Sequence, residues 1–170
     1  MVQMLWVVLA SSLAFAAGWE LPTRAADIVQ DGDLSSGKVI RDLDWAQQSN
    51  IACLPSVRWK YIQGNTVFVD HKVPRGQNAY IQVTPDGTHD LTLYVLQEPA
   101  KMMGTNKQLG VHPPNVEMAN GCVKSYYGKP GQPEKVKIGQ RPDEQTLVIA
   151  IAGVKDVTAG GYKLEIWNGE

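Results

Sequence analysis

One short polar stretch of the chain holds two acidic side chains and an imidazole within five residues. Asp86, His89 and Asp90 lie between two runs of alternating apolar residues. Oxygen-rich loops of this kind can hold Ca²⁺, so Asp86 and Asp90 are weak candidate calcium ligands. A complete calcium site needs about six oxygen ligands, and Asp and His are also ordinary turn residues. A plain polar turn is therefore the other interpretation of this stretch.

The three histidines do not form a catalytic pattern in the sequence. His71, His89 and His112 are far apart, and none stands in a nucleophile motif such as Gly-x-Ser-x-Gly. A nucleophilic site needs a Ser or Cys, a base and an orienting acid. His71 alternates with Val69 and Val73, which predicts a hydrogen-bonded histidine that points inward. We therefore expect a protein that is not an enzyme.

The two cysteines, Cys53 and Cys122, do not have the spacing of a zinc site or of a Cys-x-x-Cys redox motif. In an exported protein the simplest interpretation is one disulfide between them. Closing so long a loop would stabilise the fold by about 4 kcal/mol in the chain-entropy model. Two buried free thiols are the alternative.

An apolar stretch near the amino terminus predicts export. Residues 4–19 are almost wholly apolar, a length that suits a signal-peptide core better than a full membrane span. The small residues Thr23 and Ala25 fit a signal-peptidase site before Ala26, and Ala14-Phe15-Ala16 is a second candidate. No Lys or Arg precedes the stretch, so an uncleaved membrane anchor formed by residues 4–19 is the alternative. Either way we expect a periplasmic or extracellular protein.

Composition and charge limit the classes of protein that fit. The formal net charge is −1, with 16 Lys and Arg against 17 Asp and Glu, so no basic excess attracts nucleic acid. Hydrophobic residues make up 44% of the 170 residues, which is enough for one core. Sixteen Gly and ten Pro between short alternating segments indicate an all-β protein.

Alternating segments predict seven to eight short strands. In the stretch 79–97, the segments 80–83 and 91–95 flank a Pro-Asp-Gly turn, which predicts an antiparallel hairpin. Residues 145–152 are the most apolar segment and are predicted to form a central strand. The spacing of turns is typical of a two-layer antiparallel β-sandwich, here jelly-roll-like. Its core is predicted to include Ile81, Val83, Leu91, Leu93, Leu147, Ile149, Tyr162 and Leu164.

The predicted organisation has three parts. Residues 1–25 are a signal peptide or an anchor in the form of an apolar helix, residues 26–55 an irregular arm with a possible short helix, and residues 56–170 the sandwich. A long insert, residues 98–121, interrupts the sandwich and is too long for an ordinary loop. Flexible methionines suit adaptable protein surfaces, so we expect the insert to bind a partner, although its side chains could instead cover an open end of the core. The predicted partner-binding residues are Met102, Met103, Val111, His112, Pro113, Pro114 and Met118.

Residues 66–167 resemble the bacterial pre-peptidase C-terminal domain, a β-sandwich of jelly-roll type appended to secreted enzymes. The resemblance is carried by Asp90-Leu91-Thr92-Leu93-Tyr94-Val95, by Val148–Ile151 and by the closing stretch Gly160–Ile166. Members of this family that resemble the binding domains of collagenases use calcium and bind matrix protein, but no calcium motif matches this chain residue by residue. The insert and the cysteine pair also depart from the family pattern. The resemblance implies a secreted accessory or binding module.

The sequence thus predicts a non-enzymatic exported accessory module that binds another envelope or membrane protein and needs no cofactor. The alternative is a carbohydrate- or calcium-dependent extracellular binding module. Tyr126, Tyr127 and Trp167 could stack on sugars, although Tyr and Trp are also ordinary sandwich residues. A stripe of exposed aromatic side chains on one sheet face would distinguish this alternative.

Overall fold

The computed structural model describes residues 19–40, 60–97, 121–125 and 129–170, with only the backbone for 121–125. These residues form an all-β structure with one short 3₁₀ helix, Leu34–Ser36. The strands of the described residues are β1 (Ile28–Asp33), β2 (Lys38–Val39), β3 (Asn65–Val73), β4 (Asn78–Pro85), β5 (Leu91–Gln97), β6 (Gly121–Ser125), β7 (Glu134–Ile138), β8 (Gln145–Gly153) and β9 (Gly161–Gly169).

The strands form two antiparallel sheets. The four-stranded sheet has the order β1-β9-β4-β7, and the five-stranded sheet has the order β2-β3-β8-β5-β6. From β3 onward the chain changes sheet at every connection except the one between β5 and β6. This alternation gives the strand order of a jelly roll, in which two Greek keys are wrapped into a sandwich. The predicted antiparallel sandwich is confirmed, and β8 has the central position expected of the most apolar segment.

The core lies between the two sheets. All eight residues that the alternation places in the core belong to one buried cluster. In the five-stranded sheet, Leu93 pairs with Ile151, and both side chains belong to the buried cluster. In the four-stranded sheet, Ile81 pairs with both Ile166 and Val136. Period-two burial of branched side chains therefore holds the two layers together.

The predicted hairpin across residues 79–97 is wrong. β4 pairs with β9 and β7, whereas β5 pairs with β8 and β6 in the other sheet. The Pro-Asp-Gly turn therefore carries the chain from one layer to the other. Both arrangements turn the same apolar residues toward a core, so the alternation did not distinguish them.

Part of the predicted irregular arm is ordered as strand. β1 pairs along its length with β9, and β2 pairs with the start of β3. Between them Leu34 is fully buried, and Asp33 accepts a 2.7 Å hydrogen bond from the Ser35 amide at the start of the 3₁₀ helix. The side chains of β1 are mostly exposed, so its pairing with β9 rather than an apolar pattern makes it a strand.

Two glycines allow a close backbone approach where β3 begins and β8 ends. The Gly64 amide donates to the Gly153 carbonyl at 2.9 Å, and the Asn65 amide donates to the Val157 carbonyl at 3.0 Å. A methyl group on Gly64 or Gly153 would overlap the Val157 carbonyl oxygen. Only glycine fits both positions without a backbone shift.

Several predictions fall outside the described residues. They concern the apolar stretch 4–19, the helix in the arm beyond residue 40, Cys53, the side chain of Cys122, most of the insert, and Tyr126 and Tyr127. The disulfide therefore stays a prediction. No helix within the described part of the chain is long and apolar enough to cross a membrane.

Candidate functional site

The acidic turn of Asp86, His89 and Asp90 is hydrogen-bonded to the start of β9 and packs against it. The Asp86 amide donates to the Gly161 carbonyl at 3.0 Å, and its carboxylate occupies the space where a side chain on residue 161 would stand. The His89 ring lies against Gly160, whose φ of 138° favours glycine. Burial raises the pKa of the Asp90 carboxyl above its ordinary value. The turn thus has a packing role against β9.

This turn does not bring together a set of metal ligands. Among the described residues, no group of three or more His, Cys, Asp or Glu side chains is placed to hold a metal ion. Asp86 and Asp90, the weak calcium candidates, are therefore not joined by a third such side chain in that part of the chain. Calcium would have to draw most of its ligands from elsewhere.

His71 is buried and hydrogen-bonded, as its position in the alternation predicts. Its side chain is 7% exposed, and Nε2 lies 3.0 Å from Oδ1 of Asn168. The backbone N–H of Asn168 in turn donates to Oδ2 of Asp27 at 2.6 Å. Because His71 belongs to the five-stranded sheet and Asn168 to the four-stranded sheet, these polar groups join the two layers at one margin. The imidazole has a structural partner there.

The segment that precedes β1 packs on the outer face of the four-stranded sheet. We call residues 19–27 the amino-terminal arm, and from here on 'the arm' means these residues and not the predicted irregular arm of residues 26–55. The ring of Trp19 lies 5.9 Å from the ring of Tyr80, centroid to centroid, in a tilted arrangement. The ammonium groups of Lys135 and Lys137 lie 5.5 Å from the Trp19 ring and 5.1 Å from the Tyr80 ring. Cations at these distances are attracted by the electrons of an aromatic face.

Polar bonds fix the same arm to β9. The indole Nε1 of Trp167 donates to the Arg24 carbonyl at 2.9 Å, and the Asp27 amide donates to the Ile166 carbonyl at 2.8 Å. The Arg24 guanidinium bonds both the Asp27 carboxylate and the Asn168 carbonyl. The hydrogen bond from Arg24, followed by that from the Asn168 amide, lowers the pKa of Asp27 to about 2.

The arm leaves little aromatic surface free on this sheet. Trp167 is 6% exposed and Tyr80 is 7% exposed, although both stand on the outer face. Trp167 is therefore not an open platform on which a sugar could stack. Within the described part of the four-stranded sheet, the exposed aromatic stripe of a carbohydrate-binding face is not formed.

The two ends of the insert lie at the end of the sandwich opposite the acidic turn, where polar side chains hold them in place. Gln97 and Gly121, which bracket residues 98–120, pair across β5 and β6. The Gln97 side chain donates to Oε1 of Gln145 at 3.1 Å and accepts from Arg141 at 3.2 Å. Gln145 is 3% exposed and donates to the Gly139 carbonyl at 3.0 Å. We call Gln97, Gly121, Arg141 and Gln145 the base of the insert.

Three buried hydroxyl groups lie together on the outer side of the five-stranded sheet. The hydroxyls of Thr66, Thr92 and Tyr94 have no hydrogen-bond partner among the described residues. Thr66 and Thr92 both pair with Ala152 of β8. Tyr94 pairs with Ala150, two residues earlier in the same strand. Burial raises the pKa of the Tyr94 hydroxyl above its ordinary value. Unpaired hydroxyls in such surroundings weaken the fold.

Sequence reasoning missed both the arm and the hydroxyl group cluster. The sequence predicts that Trp19 and Arg24 belong to a signal peptide or an anchor, and the one indication against this is that a Trp and an Arg stand so close to the polar stretch. Thr92 and Tyr94 stand in β5, whose residues from Leu91 to Leu96 are all buried, whereas alternation predicts that every second side chain faces solvent. The insert residues predicted to bind a partner, from Met102 to Met118, lie outside the described residues.

No protein-family model matches the chain, and the comparison with curated proteins finds no match.

Proposed function

We propose that this protein is a non-enzymatic module, exported to the periplasm or the cell exterior, that binds another envelope or membrane protein through residues 98–120. In this proposal it serves as an accessory subunit of an envelope complex, with a disulfide between Cys53 and Cys122. The observation that carries the proposal is the base of the insert. A long segment leaves the sandwich and returns to it at two paired positions that partly buried hydrogen bonds hold in place.

A fixed base reduces the entropy that the insert loses on binding. The pairing of Gln97 with Gly121 sets the separation of the insert's ends, and the side-chain bonds of Gln97 with Gln145 and with Arg141 keep that pairing at one place on the sandwich. Binding residues are often carried on loops that a rigid scaffold positions. Pro113-Pro114 restricts the backbone further, so less entropy remains to be lost when a partner orders the segment.

The described side chains favour binding over catalysis. His71, the buried histidine, is engaged by an asparagine amide, and the acidic turn is occupied with the β9 backbone. The resemblance to the pre-peptidase C-terminal domain supports the same interpretation, since such domains accompany secreted enzymes as accessory modules. The antiparallel sandwich is the scaffold that both arguments require.

The test replaces residues 98–120 by a short Gly/Ser turn. Wild type and variant are extracted from membranes with mild detergent, and the size of the native assembly is measured by analytical ultracentrifugation. The matched control is the double variant Lys129→Ala/Gln132→Ala, in exposed residues of the turn before β7, at the end of the sandwich opposite the insert base. We expect wild type and control to sediment in an assembly larger than one chain, and the shortened protein to sediment alone while keeping its β-sheet circular dichroism.

Two results would contradict the proposal. A wild-type protein that is found only as a single chain in the soluble fraction has no stable envelope partner. A shortened protein that unfolds shows that the insert covers the core, which is the alternative already given by the sequence.

A further inference from the structure

We infer that the exported protein keeps Trp19–Ala25 as part of its fold, so that any signal-peptidase cleavage falls before Trp19 and not before Ala26. This inference rests on the export proposed above. It assigns the processing position, which the sequence alone left between two candidates and weighted toward the later one.

The arm is held by side-chain and backbone groups of β9, β4 and β7. Arg24 contacts Asp27 and the Asn168 carbonyl, and its own carbonyl receives the Trp167 indole N–H at 2.9 Å. Trp19 contacts Tyr80 in β4 and the ammonium group of Lys135 in β7. The arm therefore contacts three of the four strands of the sheet. A segment that is removed during export has no need of such contacts.

Cleavage before Ala26 would remove the partners of two buried side chains, Trp167 and Tyr80, and of the exposed Asp27 carboxylate. The Trp167 indole N–H would lose its acceptor, and Asp27 would lose the guanidinium that it pairs with. The Tyr80 ring would lose the Trp19 ring from an outer face where Tyr80 is now only 7% exposed. Uncovering two large aromatic side chains and an unpaired indole N–H destabilises a protein and creates an apolar surface patch.

Small residues upstream of Trp19 provide the cleavage position that spares the arm. Ala14-Phe15-Ala16 directs cleavage before Ala17, and Ala16-Ala17-Gly18 directs it before Trp19. Ala16 occupies the last position of the first motif and the first position of the second. One substitution at Ala16 therefore blocks both of these sites. A substitution at Ala25, which is exposed, blocks only the site before Ala26.

The experiment expresses the full chain with Ala16→Leu or with Ala25→Leu and measures the intact mass of the protein in the cell-envelope and cytoplasmic fractions. A leucine in either small-residue position prevents recognition of the motif that contains it. We expect Ala25→Leu to give the same mature mass as wild type. We expect Ala16→Leu to abolish processing and to leave the full-length precursor. In wild type, the mass should correspond to an amino terminus at or before Trp19.

The possible outcomes separate this inference from the proposed export. A wild-type amino terminus at Ala26, or loss of processing in Ala25→Leu alone, overturns the inference while leaving export intact. An envelope protein that keeps all its residues supports retention of the arm, with residues 4–19 as its anchor. A chain found only in the cytoplasm overturns the export and, with it, the assignment of a processing position.

A second measurement tests the packing argument without reference to export. In the protein purified from cells, Trp167→Phe removes only the indole N–H and the ring that carries it, and Trp19→Ala removes the contact with Tyr80. Both variants should lower the melting temperature by roughly 3 °C or more if the arm is docked. The control Glu20→Ala, at an exposed residue of the same arm, should leave the melting temperature unchanged. A melting temperature unaffected by Trp19→Ala would show that the arm is not part of the fold.

Discussion

Replacing Tyr94 by Phe should stabilise the protein, because the Tyr94 hydroxyl is buried without a partner among the described residues. The side chain is 0% exposed and stands between β8 and β6 in the five-stranded sheet. A buried polar group without a hydrogen bond costs about 1–3 kcal/mol of stability. Phe keeps the ring and its packing, so Tyr94→Phe should raise the free energy of unfolding by about 1 kcal/mol or more.

The pH dependence gives a second, independent check on Tyr94. Burial raises its pKa in the folded protein above the ordinary value of 10.0. Below pH 10 the hydroxyl is protonated in both states, so the free energy of unfolding does not depend on its titration. Above pH 10 the unfolded chain releases a proton that the folded chain retains, so the free energy of unfolding falls as the pH rises. Wild type should therefore lose up to about 1.4 kcal/mol more per pH unit above pH 10 than Tyr94→Phe loses.

The assay is urea unfolding at pH 8 and at pH 10.5, followed by circular dichroism. Tyr80→Phe is the matched control, because it makes the same chemical change at a hydroxyl that donates to the Glu170 carbonyl at 3.4 Å. We expect no gain of stability from the control. A loss of about 1 kcal/mol or more in Tyr94→Phe at pH 8 would refute the reasoning, since it would show that the hydroxyl is satisfied in the native protein.

Two further predictions concern the arm and the glycines. The pKa of Asp27 is lowered to about 2, so its bond to Arg24 stabilises the fold above about pH 4 and is lost as the pH falls toward 2. Asp27→Asn should lower the urea midpoint by about 0.3 M or less at pH 6, since the pair is partly exposed, and this gap should close near pH 2; a gap independent of pH would contradict the assignment. Gly153→Ala should lower stability by about 2–4 kcal/mol, because its methyl group would overlap the Val157 carbonyl oxygen. Gly139→Ala, where nothing lies within 4 Å of the added atom, should change the melting temperature little, and equal effects of the two substitutions would show that the close approach is not present.

The positions and inward faces of most strands could be predicted from the sequence because burial on alternate residues is recorded in the residue types. Val136 and Ile138 of β7 are examples, since both are buried as the alternation requires. The partner of each strand could not be predicted, because β4 and β5 turn apolar residues to the same core whether they pair with each other or face each other across it. β1 was missed since it is held by hydrogen bonds to β9 and its side chains carry no apolar pattern.

The site was less predictable than the fold for a related physical reason. The contacts of Arg24 with Asn168, and of His71 with Asn168, join residues that are far apart in the sequence. Local spacing carries no information about such pairs. The inward direction of His71 followed from alternation, but its asparagine partner could be found only in the folded chain.

The position of β9 imposes an order of events on folding. This strand, Gly161–Gly169, lies between β1 and β4, so it joins the earliest strand of the four-stranded sheet to the rest of that sheet. Until β9 has been synthesised, β1 has no neighbour and β4 is paired on one side only. Formation of this sheet therefore waits for β9, and long-range closure of this kind is slow. Before β9 is available, the four-stranded sheet cannot close, so the sandwich remains incompletely folded.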